Sequence, residues 1–91
     1  MEIKNMYSFL LEEIKDVENL LDDIKAEGNT LHQKIDSVRN RIDIKYINKL
    51  RWMSTIRNKI LHGGHISIDI TAFKRAIEET KSYLSHIAPP E

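Results

Sequence analysis

The stretch "IKYINKLRWMSTIRNKILHGG", residues 44–64, decides the fold class of this chain. Its apolar residues recur every three or four positions, which places them on one face of an α-helix; they are Ile44, Ile47, Leu50, Met53, Ile56, Ile60 and Leu61. Gly63 and Gly64 follow at once and are expected to end this helix near His62. The stretch therefore predicts an amphipathic helix over residues 44–62.

Upstream of this helix, a heptad pattern predicts a long first helix over about residues 2–27. Its apolar side chains recur at spacings of four and three and would cover one face; they are Ile3, Tyr7, Leu10, Ile14, Val17, Leu21 and Ile24. The segment "EGNT", residues 27–30, then interrupts the pattern. Gly28 readily adopts the left-handed conformation that ends a helix, so we expect the first helix to end there.

A second helix is expected over residues 31–42. Thr30 and Gln33 have the spacing of a capping box, which marks the start of a helix. The apolar positions that would line its buried face are Leu31, Ile35, Val38 and Ile42. Because the heptad phase continues across Gly28, one long helix over residues 3–42 is the alternative to a helical hairpin.

The rest of the chain completes a four-helix domain. Asp43 can cap a new helix, although a continuous helix with a rotated face would fit the same residues. Asp69 or Thr71 would start the last helix, over about residues 70–87. Short connections favour antiparallel neighbours, so we predict a single all-α domain over residues 1–91, a four-helix bundle with helices running alternately up and down.

The composition restricts the classes of function. The chain has 91 residues and no cysteine, which excludes disulfides and thiolate metal sites. The spacing of the four histidines predicts no zinc site, so we expect no metal and no cofactor. No apolar run approaches the roughly 20 residues of a membrane span, and the first residues lack the pattern of a signal peptide. We therefore expect a cytoplasmic protein that does not enter a membrane.

Charge is segregated along the chain, although the formal net charge is zero. Residues 1–27 carry eight acids and three bases, a net charge of −5, and residues 30–62 carry eight bases and two acids, a net charge of +6. The basic segment could bind an anionic partner. Alternatively, an acidic helix packs beside a basic one and the two neutralise each other.

The end of the third helix concentrates side chains that can act on a phosphodiester. His62 can accept or donate a proton near neutral pH. Arg57 carries a permanent charge in a fork that suits phosphate oxygens, so it can stabilise a phosphorane. With no cysteine and no P-loop, the pair fits metal-independent RNA cleavage, in which the 2′-hydroxyl attacks the adjacent phosphorus. Asn58 is four residues before His62 and shares its face.

Helix geometry sets a condition on this pair. Arg57 and His62 are five residues apart, which is about 140° around an ideal helix. They can meet on one ligand only if the last turn distorts, which the following glycines would ease, or if a second subunit supplies one of the two.

The segment "RNKILH", residues 57–62, resembles the signature motif of HEPN domains, which are small all-α domains of toxins, antiviral systems and CRISPR-associated nucleases. That motif is an arginine, often followed by a polar residue such as asparagine, and then a histidine after a few intervening residues, four in this chain. The preceding "YINKLRWMST" and the following glycine pair also resemble the surroundings of the motif. The likeness covers about residues 44–84.

The resemblance implies a metal-independent endoribonuclease that leaves 2′,3′-cyclic phosphate and 5′-hydroxyl ends and acts as a toxin or an antiviral defence effector. Arg57 and His62 would be catalytic, and Asn58 would orient them. It also implies a homodimer in which two motifs face each other, and an antitoxin or effector protein as a further partner. The residues expected to bind RNA are Arg51, Lys59, Lys49 and His65.

Two other functions stay open. The chain could be a catalytically inactive HEPN-like module that binds a protein or nucleotide partner, with Arg57 and His62 only stabilising the helix C-terminus through its dipole. It could also be a plain oligomerisation domain built on the heptads of residues 3–42. Trp52 is expected in the core or a dimer interface, with base stacking as the alternative.

Overall fold

The structure, a computed structural model, describes residues 3–87, which form four α-helices. The helices are α1 (Ile3–Asp23), α2 (Leu31–Val38), α3 (Ile44–Leu61) and α4 (Ile70–Ser85). This part of the chain contains no strand. The predicted all-α, four-helix class is therefore confirmed, and the break between α1 and α2 rules out one long helix. The two ends of the predicted domain, residues 1–2 and 88–91, lie outside the described residues.

One core joins the apolar faces of all four helices. From the first half of the chain it takes the heptad residues Leu10, Ile14, Val17, Leu21, Ile24, Leu31, Ile35, Val38 and Ile42. From the second half it takes Ile47, Leu50, Met53, Ile56, Ile66, Phe73, Ala76, Ile77 and Leu84. The heptad stripe is thus used inside one chain and is not free to form a coiled coil between chains.

Helix α1 ends four residues earlier than predicted, because Lys25 and not Gly28 adopts the terminating conformation. Lys25 has φ 68°. Its N–H donates to the carbonyl of Asp22 at 3.0 Å, and the N–H of Ala26 donates to the carbonyl of Leu21 at 3.0 Å. This pair of hydrogen bonds is the Schellman motif that closes many helices. The prediction that Gly28 ends the helix is wrong.

Thr30 and Gln33 open α2 as predicted, but the Gln33 side chain binds the N–H of Asn29 and not that of the N-cap Thr30, so the motif is a variant of the capping box. Thr30 Oγ1 accepts a hydrogen bond from the N–H of Gln33 at 3.1 Å, and Gln33 Oε1 accepts one from the N–H of Asn29 at 2.8 Å. Gly28 lies so close to this turn that a Cβ on it would stand 2.6 Å from Gln33 Cβ. Its small size is therefore needed for packing. At its other end α2 stops at Val38, short of the predicted residue 42.

Aspartates cap the other two helices. Asp43 Oδ1 accepts a hydrogen bond from the N–H of Lys45 at 2.9 Å, so α3 is a new helix and not a continuation of α2. Asp69 Oδ1 accepts hydrogen bonds from the N–H groups of Thr71 at 2.9 Å and Ala72 at 3.2 Å. Of the two residues that could start α4, Asp69 is the cap.

Helices α3 and α4 run antiparallel. The Tyr46 and Tyr83 rings stack near the start of α3 and the end of α4, with centroids 3.9 Å apart. Nearer the end of α3, the Trp52 ring centroid lies 5.9 Å from that of Phe73, in the first turn of α4. The predicted antiparallel arrangement holds for this pair.

Helices α1 and α4 run in the same direction, so the strict up-down order is wrong. Phe9 and Phe73 have ring centroids 6.3 Å apart, and further along both helices Lys81 Nζ lies 3.2 Å from Asp16 Oδ2. Because α3 is antiparallel to α4 and therefore also to α1, the two connections that flank α2, residues 24–30 and 39–43, do not both reverse the direction of the chain. The C-terminal end of α3 therefore lies at the same end of the bundle as the first turns of α1 and α4.

Lysines from two other helices neutralise part of the acidic α1. Lys34 Nζ lies 2.9 Å from Asp22 Oδ1 and 3.2 Å from Glu18 Oε2. A hydrogen bond to Asp22 raises the pKa of Lys34 above its ordinary value, against the lowering effect of partial burial. Lys81 of α4 pairs with Asp16, which is another acidic residue of α1. Part of the charge segregation in the sequence is thus resolved within the bundle.

None of the four helices is both long and apolar enough to span a membrane, over the residues that the structure describes.

Candidate functional site

The glycine pair after α3 closes the helix with a second Schellman motif. The N–H of Gly63 donates to the carbonyl of Ile60 at 3.2 Å, and the N–H of Gly64 donates to the carbonyl of Lys59 at 2.7 Å. Gly63 has φ 75°, and a Cβ on Gly64 would lie 3.1 Å from the Lys59 carbonyl oxygen. Both glycines are therefore explained by the local backbone.

The last turn of α3 keeps regular hydrogen bonding. His62 is the C-cap, and its N–H donates to the carbonyl of Asn58 at 3.0 Å. The glycines reverse the chain after His62 and do not distort the turn before it. The local distortion that could have brought Arg57 and His62 together in one chain is therefore absent from residues 58–62.

The three residues of the RNxxxH motif do not share one surface. Asn58 and His62 are exposed, whereas Arg57 is half-buried. Arg57 continues the arc of α3 that includes the buried residues Leu50 and Met53, because its position is rotated by about 20° or 40° from theirs. The separation of about 140° between Arg57 and His62 thus persists.

No acidic group engages the motif within residues 3–87. The side chains of Arg57, Asn58 and His62 take part in none of the side-chain hydrogen bonds or ion pairs found there. Helix α3 itself contains five bases and no Asp or Glu. Arg57 and His62 are therefore not neutralised by a carboxylate in the described chain, and an incoming anion has no such competitor there.

The residues predicted to bind RNA fall into two groups. Lys49 Nζ lies 3.4 Å from a carboxylate oxygen of Glu79, and Arg51 Nη2 lies 3.6 Å from one of Asp36. Exposed pairs of this kind contribute about 0–1 kcal/mol, so phosphate groups can replace the carboxylates at little cost. The other two, Lys59 and His65, are exposed and form no ion pair in the described part of the chain.

The motif lies outside the two surface depressions that flank α4. Two surface depressions flank α4, one against α1 and one against α3, and neither includes Arg57, Asn58 or His62. The first is lined by Phe9, Glu13, Phe73, Lys74, Ile77 and Glu78, and the second by Lys45, Tyr46, Glu78, Glu79, Ser82, Tyr83 and His86. Among residues 3–87, no three His, Cys, Asp or Glu side chains form a group that could hold a metal ion.

The exposed side of α3 carries polar residues that the sequence motif does not include. Asn48 and Thr55 lie there with Trp52 and His62, at helical spacing. The helical periodicity that indicates the buried face also indicates this polar face. Leu61 was predicted to belong to the apolar face, but it is 55% exposed beside His62.

Comparisons of the chain with protein-family models, with curated proteins and with solved structures find no match. The likeness to HEPN domains therefore rests on the "RNKILH" segment and on its place in the chain. That segment covers the end of the third helix of an all-α, four-helix fold.

Proposed function

We propose that the protein is a metal-independent endoribonuclease of the HEPN type, whose active site is completed by a second copy of the chain. The observation that carries the proposal is the end of α3. An arginine, an asparagine and a histidine lie there within two turns, free of carboxylate partners in residues 3–87, on a helix with five bases and no acid. An arginine and a histidine without carboxylate partners suit a phosphodiester substrate.

The chemistry needs only a proton carrier and a fixed cation. The neutral His62 imidazole takes the proton of the RNA 2′-hydroxyl as its oxygen attacks phosphorus. The Arg57 guanidinium stabilises the extra negative charge of the phosphorane. The bond to the 5′-oxygen then breaks, and that oxygen takes up the proton from the His62 imidazolium, which returns His62 to its neutral form. The products are a 2′,3′-cyclic phosphate and a 5′-hydroxyl, and Asn58 orients the reacting groups through its amide.

A second copy supplies what one chain lacks. Because Arg57 and His62 diverge on one helix, we place His62 of one protomer opposite the partner's Arg57 in a symmetric homodimer. Leu61 supports this arrangement, since it leaves an apolar side chain 55% exposed next to His62. A two-fold axis near Leu61 would build two equivalent sites.

The biological setting follows from the resemblance. We propose a toxin of a toxin–antitoxin pair or an antiviral defence effector, with an antitoxin or effector protein as a further partner. The net charge of +6 over residues 30–62 supports an RNA substrate.

A catalytically inactive interaction module is the second candidate. The observation that favours it is that the motif lies in neither surface depression described above, while Leu61 beside it is exposed. In that case the end of α3 would bind a protein or nucleotide partner without cleaving RNA.

The two candidates are separated by incubating labelled RNA with the protein in EDTA and determining the product ends by mass spectrometry. We expect cyclic-phosphate ends from the wild type and at least a hundredfold slower cleavage by His62→Ala and by Arg57→Ala. His86→Ala and Arg39→Ala, in exposed residues away from the motif, should cleave at the wild-type rate. No cleavage of several RNAs by folded wild-type protein would favour the interaction module.

A further inference from the structure

The solvent-facing side of α3 forms a continuous polar and aromatic strip. We call it the α3 outer face, and its residues are Asn48, Arg51, Trp52, Thr55, Asn58, Lys59 and His62. All seven are exposed. They form two overlapping rows at spacings of three and four, 48–51–55–58–62 and 48–52–55–59–62, so they cover one side of the helix from its second turn to its C-cap.

The charged side chains of this face are basic. Arg51 and Lys59 are its cations, and α3 has no acidic residue. The carboxylate of Asp36 is 3.6 Å from Arg51, in an exposed pair that phosphate can displace. Lys59 forms no ion pair within residues 3–87. A polyanion laid along α3 would therefore meet two cations and neutral hydrogen-bonding groups, and it would have to displace the Asp36 carboxylate of α2 from Arg51.

Trp52 gives the face an aromatic platform with a fixed position. Its side chain is 38% exposed, and its ring is tilted against Phe73, with the centroids 5.9 Å apart. Phe73 is fully buried and makes an edge contact with Phe9 at 6.3 Å. The indole thus packs against Phe73 on its inner side and is partly exposed to solvent. This arrangement suits stacking on an unpaired base.

The exposed apolar residues of α3 do not form a protein-docking face. Ile44 and Leu61 are 64% and 55% exposed. On an ideal helix Ile44 lies in line with Asn48 and Arg51, one turn before the outer face begins and more than two turns from Trp52, while Leu61 is about 180° from Trp52. Their exposed surfaces are separate, so charge and aromatic stacking are the features that the outer face offers.

We infer that the α3 outer face binds single-stranded RNA, with Trp52 stacked on a base and with Arg51 and Lys59 on the backbone. Unpaired bases are needed for stacking, so a duplex is excluded from this mode. The face ends at His62, about 15 Å along α3 from Trp52, and it would direct the strand towards the cleavage site. This last step rests on the proposed function, whereas the binding itself does not.

Binding is tested with 2′-O-methyl RNA, which cannot form a cyclic phosphate and stays intact. Trp52 is the only tryptophan in the chain, so quenching of tryptophan fluorescence reports directly on this ring. We expect a single-stranded oligonucleotide to quench it, with an affinity that falls as salt rises. A hairpin duplex of the same composition should quench it weakly. No quenching by the single strand, or equal binding of the duplex, overturns the inference.

Variants assign the contacts, with binding followed by anisotropy of a labelled oligonucleotide. Trp52→Leu should weaken binding roughly tenfold or more, and Trp52→Phe should restore part of the loss, because a phenyl ring still stacks. Lys59→Ala should also weaken it. The control is Lys15→Ala, whose side chain is 66% exposed on α1. Equal losses of affinity for Lys15→Ala and Lys59→Ala would show that RNA binds only by general charge attraction, and this result would overturn the inference.

The design keeps this inference separate from the nuclease proposal. Binding of 2′-O-methyl RNA without any cleavage of unmodified RNA would refute the nuclease proposal but would still support RNA binding by the outer face. If Trp52→Leu cleaves unmodified RNA at the wild-type rate, RNA binding by the outer face is refuted, while the nuclease proposal is still supported.

Discussion

Arg57 and His62 lie five residues apart on α3 but on different sides of it. Arg57 is half-buried on the arc that faces the other helices, whereas His62 is an exposed C-cap. The regular hydrogen bond from the His62 N–H to the Asn58 carbonyl, at 3.0 Å, keeps them apart. If these two residues act on one phosphodiester, the acting pair comes from two chains.

Self-association should depend on Leu61 more than on Ile44, although both are exposed at ends of α3, by 55% and 64%. Leu61→Lys places a charge beside the proposed two-fold axis and should weaken the dimer at least tenfold, because an apolar contact would be lost and like charges would meet. Sedimentation equilibrium measures the dissociation constant. Ile44→Lys is the matched control and should leave it unchanged. A wild-type protein that stays monomeric at high concentration would refute the shared site.

Thr80→Val should stabilise the fold by about 1 kcal/mol. Thr80 is fully buried in α4, and its hydroxyl has no hydrogen-bond partner. A buried polar group without a partner costs about 1–3 kcal/mol, and valine keeps nearly the same shape. Urea unfolding measures the change. Thr55→Val serves as the control, since the exposed Thr55 hydroxyl donates to the Arg51 carbonyl at 3.0 Å, and it should change stability little. A destabilised Thr80→Val would show that the hydroxyl is satisfied.

Lys25→Gly should raise the free energy of unfolding by up to about 1 kcal/mol, because a non-glycine residue in the left-handed conformation costs about 1–2 kcal/mol. Lys25 has φ 68° at the end of α1. Thermal or urea unfolding provides the measurement. In the middle of the same helix, Lys15→Gly should instead cost about 1 kcal/mol. Equal destabilisation by both changes would contradict the left-handed assignment.

The elements of this fold were predictable because each depends on neighbours in sequence. The apolar stripes located the helices, and Thr30 and Asp43 marked two of their starts. The end of α1 was not predictable in the same way. Lys25 is an unfavourable residue for the left-handed conformation and Gly28 a favourable one, so local preference pointed to Gly28. In the structure Lys25 takes the left-handed conformation, and Gly28 instead packs closely against Gln33.

The relative direction of α1 and α4 could not be read from periodicity. It depends on contacts between distant residues, such as Phe9 with Phe73. For the site, helical geometry alone correctly separated Arg57 from His62, because a regular helix fixes that angle. The ion pair of Arg51 with Asp36 depends on how α2 lies on α3, and no local pattern encodes that.

The free energy of unfolding should fall at high pH, because the cluster of Lys34 with Glu18 and Asp22 loses its positive charge there. Its hydrogen bond to Asp22 raises the pKa of Lys34 above 10.5. A raised lysine pKa contributes stability that is fully present below about pH 10.5, the ordinary value, and is lost as the pH rises through the higher value of the folded state. Urea unfolding at pH 9 and pH 11 measures the loss.

Lys34→Met isolates this contribution, because tyrosine ionisation affects the variant and the wild type alike. The fall in unfolding free energy between the two pH values should be smaller in Lys34→Met than in the wild type. Lys59→Met removes a lysine that makes no ion pair in the described part of the chain. Its unfolding free energy should fall between the two pH values by as much as that of the wild type. The same fall in all three proteins would contradict the assigned role of the cluster.

The shared active site is tested most directly by mixing two inactive variants. Arg57→Ala and His62→Ala are each purified, mixed in equal amounts, allowed to exchange subunits, and assayed on RNA in EDTA. If the site pairs His62 with the partner's Arg57, half of the dimers are mixed, and each of these has one intact site. The mixture should then regain about one quarter of the wild-type activity. A mixture that stays inactive, while the wild type cleaves and exchange is verified, would contradict the shared site.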